Sequence, residues 1–258
     1  TVPKGCVRNP MLSTSLTLYR LVVKGELGLN GCNLTLTDKL EVSGTLVANG
    51  GESVSTAGDI EFTGSLVGEL GALELTGDAV QTITLGECNP RRLVVSKSGG
   101  SVAWAGDLAA DVLSCAVTAP LMMTFAAGKT VTLKELRLDG AIGAAVGLIL
   151  ESSGEGQWKL KVSDSERVSG VAVANCDATG GLVIHGDAPY GDNGNNANWV
   201  FGAPVMRWIG KGSSDFRNAA NWWPNGVPGE GSNAVMYTMS AETLTAVISA
   251  AYTRAAFM

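Results

Sequence analysis

The chain has 258 residues, of which 45% are hydrophobic and only 16% are charged, a composition that supports one elongated domain or two unequal ones and argues against disorder. Its net charge is -6 and its 18 Lys and Arg residues are scattered, so no basic stripe is present to bind phosphates, and we expect no nucleic-acid partner. The longest apolar run, 141–150, is shorter than the roughly 18–20 residues of a membrane span, so no span is predicted.

The first 18 residues contain Pro3 and Pro10 and show little alternation of apolar and polar residues. They are predicted to form an N-terminal lead-in that covers the first of the repeats that follow. Such a cover is expected because the open end of a stack of repeats is an unpaired sheet edge.

Residues 19–203 repeat a short pattern with a period of about 20 residues. Three copies can be aligned, LVVKGELGLNG from residue 21, LEVSGTLVANG from residue 40 and IEFTGSLVGEL from residue 60, and fainter copies continue to about residue 183. Each alternates apolar and polar residues around a glycine, which is typical of strands with one buried face. One copy cannot bury its apolar face alone, so the pattern predicts an all-β solenoid of stacked coils.

Gly44 and Gly64 occupy matching places in their repeats. We expect them at tight corners with φ > 0, where a β-branched residue is strained. Gly64→Val should therefore lower the melting temperature.

Glu41, Glu61 and Glu74 each follow the first apolar residue of a strand, so the repeats predict an outward ladder of carboxylates. Like charges about 5 Å apart raise one another's pKa. A polysaccharide lyase or hydrolase on a β-helix uses clustered carboxylates, but it also needs a basic partner, and we expect none in these repeats. A solvated outer face is therefore the preferred interpretation.

The five cysteines show no metal-binding spacing. Cys6 and Cys32 are about one coil apart, as are Cys88 and Cys115, and residues one coil apart can lie close enough for a disulfide. Two coil-to-coil bridges, with Cys176 left over, are one prediction, and five free apolar thiols are the alternative.

The loop after the last repeat is rich in oxygen ligands. Asp187, Asp192, Asn193 and Asn195 form a composition compatible with calcium, the one cofactor that the sequence suggests, although Asp and Asn also favour turns for local backbone reasons. The single histidine, His185, stands in an alternating strand without a catalytic motif, so it is predicted to be a strand residue. The aromatic pair at 199–201 is predicted to cap the apolar end of the stack.

Residues 204–258 change character and are predicted to form a small, Trp-, Gly- and Pro-rich β module, for which the start of a next repeat and an assembly segment are the two interpretations. Its side chains Trp208, Asn221, Trp222 and Trp223 could stack on a sugar ring and hold its hydroxyls, or could form the module's own core. The apolar end of the chain is predicted to be a β-prone strand, for which a chain that continues and docking onto a neighbour are the two interpretations.

Three motifs carry a resemblance: W-x-G at 208–210, N-W at 221–222 and G-x-P-G at 226–229. With the strand-rich repeats, they are similar to modules of large bacterial surface and autotransporter-associated proteins. The sequence departs from that pattern at Ser232 and Asn233, where those proteins usually have Asp after the last glycine. The resemblance implies a right-handed parallel β-helix, secreted or displayed on the cell surface, that acts as a stalk, fibre or adhesin without catalysis. Its expected partners are copies of itself, adjacent repeats or surface glycans.

Overall fold

The computed structural model describes residues 1–142, 145–187, 191–202, 205–223, 226–229, 232–236 and 256–257. The protein is 52% β-strand, and the described residues contain no α-helix. A β-solenoid of about eight turns is followed by a small β module.

The solenoid begins with the strands β1 (Leu16–Leu18), β2 (Leu21–Val23), β3 (Glu26–Gly28), β4 (Leu34–Leu36), β5 (Leu40–Val42), β6 (Thr45–Asn49), β7 (Ser53–Thr56), β8 (Ile60–Phe62) and β9 (Ser65–Glu69). It continues with β10 (Ala72–Leu75), β11 (Gln81–Thr84), β12 (Arg92–Val95), β13 (Ser101–Trp104), β14 (Leu108–Ala116), β15 (Leu121–Phe125), β16 (Thr130–Asp139), β17 (Ala141–Ile142), β18 (Ala145–Val146), β19 (Leu148–Ser152), β20 (Trp158–Ser169), β21 (Val171–Val173), β22 (Cys176–Asp177), β23 (Ile184–Gly186) and β24 (Trp199–Phe201). The module contains β25 (Val205–Trp208), a 3-10 turn (Ala219–Asn221), β26 (Trp222–Trp223), β27 (Asn233–Val235) and β28 (Ala256–Phe257).

In the described part of the chain, most solenoid strands belong to three parallel sheets. The sheets have the orders β1-β4-β7-β10-β12-β14-β16-β20-β22, β2-β5-β8-β11-β13-β15-β19-β21 and β3-β6-β9. Neighbouring strands come from successive turns, and residues one repeat apart lie side by side, as Leu34, Val54 and Leu73 do. The prediction of an all-β parallel solenoid is therefore confirmed.

The core lies inside the coils and is built from columns of apolar side chains. Leu34, Val54 and Leu73 are all buried, and each such side chain contributes about 1.5–3 kcal/mol when removed from water. Further along, Trp104, Phe125 and Trp158 are stacked, with ring centroids 6.3 and 4.1 Å apart. Trp199 and Phe201 pack against the end of the same core, as the sequence predicts.

The lead-in runs along the first coil. Val2 forms a parallel bridge with Val23, and Met11 forms one with Gly28. These contacts lie beside β2 and β3, whereas β1 is the outermost strand of the first sheet. The predicted C-terminal strand lies mostly outside the described residues, which include only β28 from that segment.

Glycines recur at one corner of successive turns for a different reason from the one predicted. Neither Gly44 nor Gly64 has a positive φ, so that prediction is wrong. A Cβ on Gly64 would instead lie 1.9 Å from the carbonyl oxygen of Gly44, and a Cβ on Gly44 would lie 1.9 Å from that of Gly25. Glycine is required here because the backbones of successive turns approach too closely for a side chain.

Another corner is organised by a buried carboxylate. Glu52 is 1% exposed and accepts backbone N–H groups from Gly31 at 2.9 Å, Asn49 at 2.8 Å and Gly51 at 3.1 Å. Burial raises the pKa of Glu52, but these hydrogen bonds outweigh it and hold the pKa below its usual value. The side chain therefore joins one turn of the solenoid to the next as an anion.

Glu52→Gln is expected to lower the free energy of unfolding by about 1–3 kcal/mol at pH 7, because the amide replaces an acceptor with a donor facing N–H groups. Since the folded-state pKa is lowered, the carboxylate stabilises the protein above its unfolded pKa of about 4.3 and loses that effect as the pH falls through the folded-state pKa. Urea denaturation should show the difference between wild type and variant shrinking below about pH 4.

Glu87→Gln is the matched control, because Glu87 is exposed at a corner. It should change stability by less than about 0.5 kcal/mol. A Glu52→Gln effect equal to the control at pH 7, or constant from pH 7 to pH 3, would contradict the role of the carboxylate.

Candidate functional site at the end of the solenoid

The predicted sugar-stacking residues mostly form the core of the small module. Trp208 and Trp222 are 5% and 1% exposed, and their rings meet edge to face at 5.1 Å. Phe216 packs on Trp222 at 4.8 Å, and its carbonyl oxygen accepts the indole N–H of Trp222 at 2.7 Å. Trp208 and Trp222 are therefore not available for stacking on a ligand.

Asn221 is also buried, and its side chain forms hydrogen bonds with backbone groups of the module. Its Oδ1 accepts the N–H groups of Gly212 and Ser213 at 2.6 and 2.8 Å, and its Nδ2 donates to the carbonyl of Asp215 at 2.8 Å. It cannot offer these atoms to a sugar hydroxyl without breaking the loop. Of the four predicted glycan contacts, Trp223 is the one that remains half-buried at a surface.

The predicted calcium ligands bind separate parts of the last turns. Asp187 accepts from Ser169 Oγ at 2.5 Å and from the Gly170 N–H at 2.8 Å. Asp192 Oδ1 accepts from the Gly194 N–H at 3.0 Å, so these oxygens are engaged in turns and strand ends.

The two asparagines of this loop are likewise used by the solenoid. The Asn193 N–H donates to the Val173 carbonyl at 2.9 Å, and Asn195 Nδ2 donates to Asn175 Oδ1 at 2.8 Å. Among the described residues, no group of three or more His, Cys, Asp or Glu side chains is placed to hold a metal ion. Calcium binding stays a prediction.

A buried charge cluster joins the solenoid to the module. Glu166 on β20 is fully buried and lies beside Leu136, so a carboxylate occupies an inward column that the preceding turns fill with leucine. His185 Nδ1 lies 3.1 Å from Glu166 Oε1. Arg207 Nε donates to Glu166 Oε2 at 2.9 Å, and Arg207 Nη2 donates to the same oxygen at 2.5 Å.

The arginine fixes the position of the module in two further ways. Arg207 Nη2 also donates to the backbone carbonyl of His185, and its guanidinium lies 5.6 Å from the ring centroid of Trp223. Arg207 is 2% exposed, so the cluster is shielded from solvent. Removing one partner of such a buried ion pair is strongly destabilising, so the pair joins the module to the last turns of the solenoid.

Sequence reasoning does not find this cluster. His185 lies in a strand, as predicted, but the carboxylate beside it is Glu166 rather than the nearby Asp187. One signal in the sequence is that Glu166 occupies an inward position at which the preceding turns have leucine. A register irregularity between Leu133 and Glu135, in the pairing of β16 with β20, makes that position hard to identify from the alternation alone.

The carboxylate ladder exists in part. Glu41 and Glu61 are neighbours on β5 and β8, whereas Glu74 lies in another sheet on β10. For Glu41 and Glu61 the expectation that no basic residue accompanies them is wrong, because Lys39 Nζ lies 2.9 Å from an oxygen of each of these two, and Arg20 pairs with Glu41. The Lys39 ammonium, assisted by Arg20, lowers the pKa of Glu41, although burial opposes it.

The two predicted disulfides are absent: all five cysteines lie in the described residues and are free. The register explains why Cys115 has no cysteine beside it, since its neighbours in the adjoining turns are Val95 and Leu138. Cys6 lies in the lead-in, where its Sγ is 3.5 Å from the carbonyl oxygen of Pro3. The alternative of five free thiols matches the structure.

Thiol labelling is expected to give five reactive groups in denatured, unreduced protein. In the native protein Cys6 and Cys32 should react first, because they are only partly buried. Burial raises the pKa of the other three, Cys88, Cys115 and Cys176, to about 12, so they should react only on unfolding. Fewer than five thiols in the denatured sample would contradict the structure.

No protein-family model, curated protein or solved structure matches the chain. The resemblance to bacterial surface proteins therefore stays a prediction. In the part of the chain that the structure describes, no helix has the length and apolar character needed to cross a membrane.

Proposed function

We propose that this chain is a non-catalytic structural or adhesive segment of an extracellular bacterial surface protein or fibre. The observation that carries the proposal is the parallel stacking of about eight turns, in which each turn is hydrogen-bonded to the turns beside it. Because each turn contacts chiefly its neighbours, such a stack can serve as a stiff spacer whose stability adds up along its length. The resemblance in the repeats and tryptophan motifs supports its placement outside the cell.

The two ends of the solenoid differ, which supports association with copies of itself or with adjacent repeats. At the beginning, β1 is an outer strand, and Met11 and Tyr19 nearby are 64% and 73% exposed. At the other end, Arg207 ties the small module to Glu166. The outermost strand of a sheet is an edge on which another strand can pair.

A polysaccharide lyase or hydrolase is less well supported. Glu41 and Glu61 are neutralised by the basic residues beside them, and Glu166 is buried and paired with Arg207. An acid or base in glycoside cleavage has to reach the scissile bond, and these carboxylates are held by other partners.

The proposal can be tested by displaying the chain on a non-adherent bacterium and measuring cell retention under flow on glycan-coated surfaces. The same anchor without the chain is the control, and concentration-dependent association of the purified protein is measured in parallel. We expect increased retention or self-association, and no new reducing ends from acidic polysaccharides. Polysaccharide turnover, or failure of both association and retention, would overturn the proposal.

A further inference from the structure

A groove of about 270 Å³ lies where the outer face of the first sheet meets the module. Its floor follows one outward column across four turns, in which Val94, Ser114, Arg137 and Arg167 lie side by side on β12, β14, β16 and β20. The half-buried ring of Trp223 also lines the groove. The groove therefore combines small side chains, two guanidinium groups and an aromatic ring.

The two arginines place like charges at facing positions of neighbouring strands. Arg137 and Arg167 stand directly opposite each other, and like charges in this position destabilise a sheet. Arg137 is paired with Glu135, whereas Arg167 makes no hydrogen bond or ion pair with any described residue. An anion in the groove would remove this repulsion.

The surroundings of Arg167 also favour an anion beside its guanidinium. Its side chain is half-buried, and burial lowers its pKa, as does repulsion from Arg137 and Arg207, while Glu135 opposes the shift. Arg207 is already committed to Glu166. A planar guanidinium matches the two oxygens of a carboxylate and binds them through two parallel hydrogen bonds.

The remaining groups in the groove favour a sugar over other carboxylates. Trp223 presents an aromatic surface of the kind on which the apolar face of a sugar ring stacks. Asp139 lines the groove and is exposed, so it can accept a hydrogen bond from a hydroxyl group. The volume lies just below the usual range for ligand pockets, about 300–1,000 Å³, and suits a single ring.

We propose that this groove binds one carboxylate-bearing sugar ring of an acidic glycan, with Arg167 on the carboxylate, Trp223 against the ring and Asp139 on a hydroxyl. This inference rests on the proposed adhesive function and names its ligand class. This groove differs from the glycan site predicted from the sequence, because three of the four residues of that site are buried. The positive charge of the groove comes from arginines of the solenoid.

The test is a ligand-observed NMR titration of the whole chain with methyl glucuronide and methyl glucoside, which differ in the carboxylate. Wild type should bind the glucuronide at least about tenfold more tightly than the glucoside, about 1.4 kcal/mol. Arg167→Gln should lose at least about tenfold in glucuronide affinity. Arg92→Gln is the matched control, since Arg92 is exposed on the same sheet outside the groove, and it should bind as wild type does.

The proposal is overturned if the wild type does not bind the glucuronide, if it binds the glucoside equally well, or if Arg167→Gln and Arg92→Gln have the same affinity. Equal binding of N-acetylglutamate amide would also overturn the assignment to a sugar. Unchanged melting temperatures show that the variants are folded. Self-association, measured on the same samples, separates failure of the groove from failure of the proposed function.

Discussion

Gly64→Ala is expected to lower the free energy of unfolding by about 3 kcal/mol or more, at or above the top of the usual range for overpacking a core. The added Cβ would lie 1.9 Å from the carbonyl oxygen of Gly44 and 2.9 Å from its N and C atoms. These are backbone atoms, which cannot rotate away as a side chain can. Gly44 is itself held by the preceding turn, because its N–H donates to the carbonyl of Val23 at 3.0 Å.

The measurement is urea denaturation followed by circular dichroism, with Gly106→Ala as the control. Gly106 has no positive φ, and a Cβ there meets nothing within 4 Å. Its replacement should change stability by less than about 0.5 kcal/mol. If the two variants unfold at the same urea concentration, the close approach of successive turns is not what requires glycine at residue 64. Gly64→Val should cost more than Gly64→Ala, since it adds two further methyl groups at the same contact.

The architecture is predictable because every turn of a solenoid has to bury the same inward face against its neighbours. An apolar residue at each inward position and a glycine at one corner recur with the repeat, so the aligned segments LVVKG, LEVSG and IEFTG are enough to indicate the stacking. The reason for the glycines is not predictable in the same way. A sequence does not distinguish a glycine needed for a positive φ from one needed because another backbone lies against it.

Charge partners are harder to predict than strands. Arg20 and Lys39 each stand immediately before a strand, at a corner, and the winding of the coil brings them to Glu41 and Glu61 in the next turns. The position of Glu74 also depends on which side of the coil its strand occupies. Alternation gives the inward or outward direction of a side chain, but it does not assign a strand to one of three sheets.

The buried charge cluster and the groove cannot be predicted from the sequence, because each combines residues from strands that are distant in the chain. Glu166, His185 and Arg207 come from β20, β23 and β25, and their contacts depend on how the module is placed against the last turns. The tryptophans form a cluster, as the sequence indicates, but burial divides them. Trp222 is in the module core, and the next residue, Trp223, faces the arginine and the groove.

Arg207→Met is expected to destabilise the protein by about 3–5 kcal/mol, because it leaves the Glu166 carboxylate buried without its guanidinium partner. The methionine can fill much of the space of the arginine stem, so the main loss is the charge pairing and the hydrogen bond to the His185 carbonyl. Chemical denaturation followed by tryptophan fluorescence measures the effect, since Trp223 lies against the arginine.

The double variant Glu166→Leu/Arg207→Met separates the loss of the guanidinium partner from a general loss of packing. It removes both charges and places a leucine beside Leu136, which continues the apolar column of the preceding turns. Replacing a buried ion pair by apolar side chains is often neutral or stabilising, so the double variant should be more stable than Arg207→Met alone. Arg92→Met, at an exposed position, should leave the midpoint unchanged. An Arg207→Met midpoint equal to that control, or a double variant less stable than the single one, would show that the carboxylate and guanidinium do not hold the module to the solenoid.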